Sequence, residues 1–151
     1  MTDTISEILE NTLFDLSDTL KMHLIELNEN RSLFMNGPSQ ELIQRSFNIS
    51  FYQGQKQAIE ALDREIKTTT DENDLIANLK RHSQDVEQQL LNVIELHTTT
   101  YESKENLSLA QSLDTYYHCK GQHDIISELL LQVNKYSCLL YTSPSPRDRQ
   151  K

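Results

Sequence analysis

Apolar residues recur along this chain at intervals of three and four, interrupted by short polar runs, and that period predicts helices rather than strands. Ile5, Ile8, Leu9, Leu13, Leu16, Leu20, Leu24 and Leu27 form the first stripe, opened by Thr4-Ile5-Ser6-Glu7, which has the form of a capping box. A helix over 4–28 follows. ENRSLFMNGPS then breaks the period and carries Asn36-Gly37-Pro38, a strong stop, with Ser39 placed to cap the next helix. Leu33, Phe34 and Met35 are apolar within this loop and are expected to fold back over the end of the bundle or to form a docking tip.

The second stripe, Leu42, Ile43, Phe47, Phe51, Ile59, Leu62 and Ile66, predicts a helix over 40–67. Thr68-Thr69-Thr70 disfavours helix through β-branching and local hydroxyl bonding, and Thr69, three before Glu72, is placed to open the next one. Leu75, Leu79, His82, Val86, Leu90, Val93 and His97 keep a near-heptad rhythm over 72–97, widened by Ile76, Leu91 and Ile94, as in a bundle seam or coiled coil. Thr98-Thr99-Thr100 repeats the threonine break. Ser103 can then cap a fourth helix over 104–135, whose apolar residues run from Leu107 to Val133.

The second and fourth helices share a pattern. Leu42, Gln44, Gly54, Gln55, Ile59 and Leu62 are matched by Leu109, Gln111, Gly121, Gln122, Ile126 and Leu129. Upstream of each copy lies a related tetrapeptide, LIEL at 24–27 and VIEL at 93–96. This reads as a duplicated pair of helices. In the first copy Ser46, Ser50, Gly54 and Ala58 line one ridge with small side chains, so a neighbouring helix can approach closely; in the second, Gly121 is a notch between Tyr117 and Ile125. A glycine inside a helix costs about 1 kcal/mol relative to alanine, so two at equivalent positions imply an offsetting close contact, with Ser50, Gly54, Ala58 and Gly121 as its residues. The plainer alternative is that each glycine ends one helix and starts another. The expected fold is all-α, either an antiparallel four-helix bundle or two tandem helical hairpins.

Length suits one domain, over 1–137. At its end, CLLYTSPSPRD resembles the in-frame translation of a transposon-type sequencing-library adapter, so 138–151 is expected to be a non-native, disordered tail and the native C-terminus to lie elsewhere. Fourteen basic and 23 acidic residues give a net charge of −9, and the tail only makes that less negative. Such acidity argues against a nucleic-acid or anionic-membrane partner and serves solubility. Without a signal-type or membrane-spanning apolar run, the expected location is cytoplasmic or virion-associated, and Asn48-Ile49-Ser50 and Asn106-Leu107-Ser108 are chance sequons.

Candidate chemistry is sparse. Di-metal bundles use Glu three before His, and no histidine here has that neighbour. Cys119 and His123 share a helix face, so with His82 or His97 from the third helix they make a candidate soft-metal or redox site; a buried thiol beside a surface histidine is the structural alternative. No glycine-rich phosphate loop, nucleophile elbow or Cys-x-x-Cys pair occurs. The expectation is no enzyme activity and no cofactor.

Phe51-Tyr52-Gln53-Gly54 followed by Ile59-Glu60-Ala61-Leu62, echoed by Tyr116-Tyr117, Gly121 and Ile126-Ser127-Glu128-Leu129, resembles small helical-hairpin proteins of tailed bacteriophages. The resemblance covers 24–67 and 93–133. In those proteins a further small residue commonly follows the glycine, supplied here by Ala58 in the first copy and replaced by Ile125 in the second. It implies a structural or assembly role, with a protein partner or self-association.

Overall fold

The chain enters its first helix through a reciprocal cap. Glu7 N donates to Thr4 Oγ1 at 3.3 Å, while Thr4 N donates to Glu7 Oε2 at 3.2 Å, so two otherwise orphaned amides are satisfied as the tetrapeptide predicts. The computed structural model describes residues 4–29, 39–99 and 106–142. Among these stand four helices and no strand: α1 (Ile5–Glu29), α2 (Ser39–Thr68), α3 (Glu72–Thr99) and α4 (Asn106–Thr142). None of the described helices is long and apolar enough to cross a membrane.

The turn between α2 and α3 departs from expectation in its cap. Thr69 finishes α2, its N–H donating to Glu65 O and its hydroxyl to Glu65 Oε1. Asp71 opens α3 instead: its Oδ1 accepts from Asn73 N at 3.2 Å and its carbonyl accepts from Leu75 N. A carboxylate is the stronger partner for those amides, being charged and drawn to the positive end of the helix dipole.

The α1–α2 and α3–α4 pairs form two hairpins that pack on each other through α2 and α4, the closest helix pair in the molecule. Partners along this contact advance together, Ser50 with Asp114, Gly54 with His118 and Gln57 with Gln122, so α2 and α4 run parallel. Consecutive helices are antiparallel, as short connections require. Yet α2 and α3, adjacent in sequence, meet sparingly, and α1 and α3 lie outside the central pair. The molecule is thus a four-helix bundle assembled as two hairpins, with a parallel pair at its centre.

Aliphatic burial is concentrated in one half. Ile5 and Leu9 of α1, Leu62 and Ile66 of α2, Leu75 and Leu79 of α3 and Ile125, Ile126, Leu129 and Val133 of α4 form a single cluster. Each such side chain removed from water contributes about 1.5–3 kcal/mol, which makes this half the stable part of the bundle. In the other half the predicted stripes are only partly covered. Leu24, Ile43, Leu91 and Ile94, expected inside, are exposed, as is Ser46 of the small-residue ridge. The outer helices do not meet there, so their apolar stripes are wider than the contact available to cover them.

Two further expectations meet the structure at the ends of elements. Helix α4 extends to Thr142, beyond the expected end at 135, so 138–142 continue the helix instead of beginning a disordered tail. Apolar Leu139 prolongs the helical period, and Pro144 is the first residue that opposes it. Leu33, Phe34, Met35, Ser103 and 143–151 lie outside the described residues, as does the side chain of His97.

Candidate functional site

Gly54 and Gly121 both sit inside unbroken helices with no positive φ, so neither terminates an element. Each instead faces the backbone of the opposite helix. A methyl built on Gly54 would overlap the His118 carbonyl oxygen and lie 2.8 Å from its carbon. One built on Gly121 would overlap the Phe51 carbonyl oxygen and lie 2.9 Å from Gln55 N. Both distances are shorter than real side chains tolerate, so only glycine permits this crossing. The hydrogen that replaces each methyl points at a carbonyl, a geometry in which Cα–H···O contacts contribute about 0.5–1 kcal/mol apiece.

These two contacts are copies of one another. Moving forward by the separation of Gly54 and Gly121 carries Phe51 onto His118, so the Gly54–His118 contact becomes the Gly121–Phe51 contact with the helices exchanged. The same shift relates the neighbours on either side. Gln55 Nε2 donates to Asp124 Oδ2 at 2.9 Å, and its equivalent is Gln122 Nε2 donating to Gln57 Oε1 at 3.1 Å. Ser50 Oγ donates to Asp114, and its equivalent is the Phe47–Tyr117 pair, stacked at 4.5 Å between ring centroids. The central contact therefore has a pseudo-two-fold axis along the helices, with a polar pair on one side exchanged for an aromatic pair on the other. Of the residues predicted to make it, Ser50, Gly54, Ala58 and Gly121 are all buried.

Cys119 and His123 share α4 but turn to different partners. Cys119 is buried, and its thiol donates to Gln89 Oε1 at 3.7 Å; burial raises its pKa above the ordinary 9.0, disfavouring the thiolate that metal binding or redox chemistry requires. His123 is half-exposed between Glu87, 3.4 Å from its Nε2, and Ser127 Oγ, 3.4 Å from its Nδ1. This Ser–His–Glu sequence was not anticipated from the sequence because Glu87 comes from α3. Its backbone amides belong to the regular α4 helix and offer no oxyanion cradle, so the trio is a surface network. His82 lines a small cleft of about 110 Å³ with Gln57, Leu62, Val86, Gln122 and Ile126. Among the described residues no three His, Cys, Asp or Glu side chains are grouped to hold a metal.

What the surface does offer is apolar. A shallow groove of about 350 Å³ runs between α1 and α2, floored by Leu13 and Ile59 and flanked by exposed Phe14. On the outer face of α1, Met22 and Ile25 are 64% and 58% exposed. On α3, Leu91 and Ile94 are 54% and 47% exposed. The shift that carries LIEL onto VIEL carries Met22 onto Leu91 and Ile25 onto Ile94, so the two exposed pairs are equivalent positions of the duplicated hairpin. Sequence reasoning placed Leu91 and Ile94 in the core and left Met22 and Ile25 unassigned; the readable signal was this alignment.

Comparison with protein-family models, curated proteins and solved structures finds no match to the chain.

Proposed function

We propose that this chain is a non-catalytic helical-bundle protein that works through contacts with other proteins, in the structural or assembly role implied by its resemblance to tailed-phage helical hairpins. The observation that carries the proposal is the exposure of large apolar side chains at repeat-equivalent positions of both outer helices. Isolated surface hydrophobes need no explanation, but the same exposed pair kept in both copies points to a surface that is used. The central crossing supports the same reading, because helices locked by glycine and by polar cross-links form a rigid scaffold on which such a surface is held in place.

The test is the solution mass of the full chain and of its complexes, by light scattering and sedimentation. The expected result is a species heavier than the 17.6 kDa chain, formed with itself or with a co-purifying protein. A strict monomer that retains no partner through purification overturns the proposal.

A further inference from the structure

The two hairpins are held together by helices that are not neighbours in sequence. Contact between them runs mainly through α2 with α4 and, to a lesser degree, α1 with α4, while α2 and α3 meet sparingly. The covalent link is short: α2 ends at Thr68 and α3 begins at Glu72. Within it Thr69 N still donates to Glu65 O and Asp71 O still accepts from Leu75 N, both at 3.0 Å, so the helical bonding of α2 and α3 closes to within one residue, Thr70. The turn holds no glycine, no proline and no positive φ, in contrast to the Asn36-Gly37-Pro38 that separates α1 from α2. Nothing in it forbids a straight path. Asn73 N, capped here by Asp71, would donate to Thr69 O in a continuous helix.

We propose that a second copy of this chain docks at the α2–α4 crossing by exchange of hairpins: Thr70 straightens, α2 and α3 join into one rod, and the α1–α2 hairpin of each chain packs on the α3–α4 hairpin of the other. The inference rests on the protein-contact reading above and names the partner. Because α2 and α4 run parallel and α3 runs antiparallel to both, a two-fold axis across the straightened turn brings α4 of one copy beside α2 of the other in the same parallel sense. The crossing itself specifies the occupant. Backbone lies so close to Gly54 and Gly121 that each helix accepts only a partner with glycine at the matching place, and Gln55–Asp124, Gln122–Gln57 and Ser50–Asp114 pair again between chains. What opening gives up is the sparse α2–α3 contact, including the hydrogen bond from Asn78 Nδ2 to Glu65 Oε1. Short connections between packed units are the ones prone to exchange, since the dimer remakes every contact between those units.

The experiment unfolds the full chain in urea, refolds it at low and at high protein concentration, and weighs the separated products by light scattering. The expected result is a dimer whose share grows with refolding concentration, which keeps the helix content of the monomer and reverts slowly on dilution because the core must open first. Thr69→Ala with Thr70→Ala favours the straight helix and should strengthen dimerisation about tenfold. Insertion of Gly-Ser-Gly-Ser after Thr70 lengthens the turn and should return the chain to monomer. The partner's placement is read by cross-linking, with Cys138→Ser in every chain. Chains carrying Ser50→Cys, refolded with chains carrying Asp114→Cys, should form a disulfide between positions 50 and 114 of different chains, identified by peptide mass mapping; a chain carrying both, refolded dilute, forms the same link internally. A dimer indifferent to both turn variants, or one in which 50 and 114 link only within a chain, overturns the inference. In that case, or if the chain stays monomeric but holds another protein, this inference alone is lost; a strict monomer without partners removes the reading beneath it as well.

Discussion

Gly54 and Gly121 set the distance between α2 and α4, and neither does so by conformational freedom. Both are ordinary helical residues whose missing side chain is what matters. Alanine at either position recovers about 1 kcal/mol of helix propensity but drives a methyl into backbone that cannot rotate aside. Overpacking costs about 1–3 kcal/mol even where side chains can yield, so Gly54→Ala and Gly121→Ala are each expected to destabilise the fold by about 2 kcal/mol net. The double variant should cost less than the sum, because the first substitution already separates the helices. Ser46→Ala, on the same ridge but exposed, should change stability by under about 0.5 kcal/mol in the same urea titration. Cys119 offers a second measurement. Its raised pKa predicts alkylation slower than that of free cysteine and slower than that of exposed Cys138. A thiol held above its ordinary 9.0 contributes stability that is complete below that pH and is lost as pH rises through the folded value. Labelling of Cys119 faster than free cysteine would contradict the buried assignment.

At the scale of the element, most of each helix was legible because the apolar period is unbroken between strong punctuation. The capping box at Thr4 and Glu7 was readable as a local pattern and forms as read. The cap of α3 was not, since Thr69 and Asp71 both have capping chemistry and the choice turns on where α2 stops. Thr69 is held by α2 through Glu65, which leaves Asp71 to open α3. Asp71→Ala is therefore expected to cost about 1 kcal/mol, Asp71→Asn to retain most of that, and Thr69→Ala to cost less than Asp71→Ala, measured by thermal unfolding. The far end of α4 follows the same rule: Leu139 keeps the apolar period, and the helix runs on through Cys138 to Thr142.

For the whole molecule, the organising relation is the matched pattern of α2 and α4 at their crossing. The α2–α4 contact has a pseudo-two-fold axis, which relates Gly54–His118 to Gly121–Phe51 and Gln55–Asp124 to Gln122–Gln57. Equivalent positions need not keep identical chemistry: the Ser50–Asp114 pair stands opposite Phe47–Tyr117 around the same backbone crossing. Aligning LIEL with VIEL likewise places exposed apolar pairs, Met22 with Ile25 and Leu91 with Ile94, at matching positions of the outer helices.

By itself the sequence determined the four helices and their antiparallel succession, because period and punctuation are local properties; it left each glycine as either a close contact or a helix end, and the unbroken helices with backbone against both glycines decided for the contact. Only the tertiary structure decided which helices meet. The parallel α2–α4 pairing, the exposure of Leu91 and Ile94, and the separation of Cys119 from His123 into different environments depend on how much surface each neighbour can cover, and an apolar stripe records that a face is greasy without recording what lies against it.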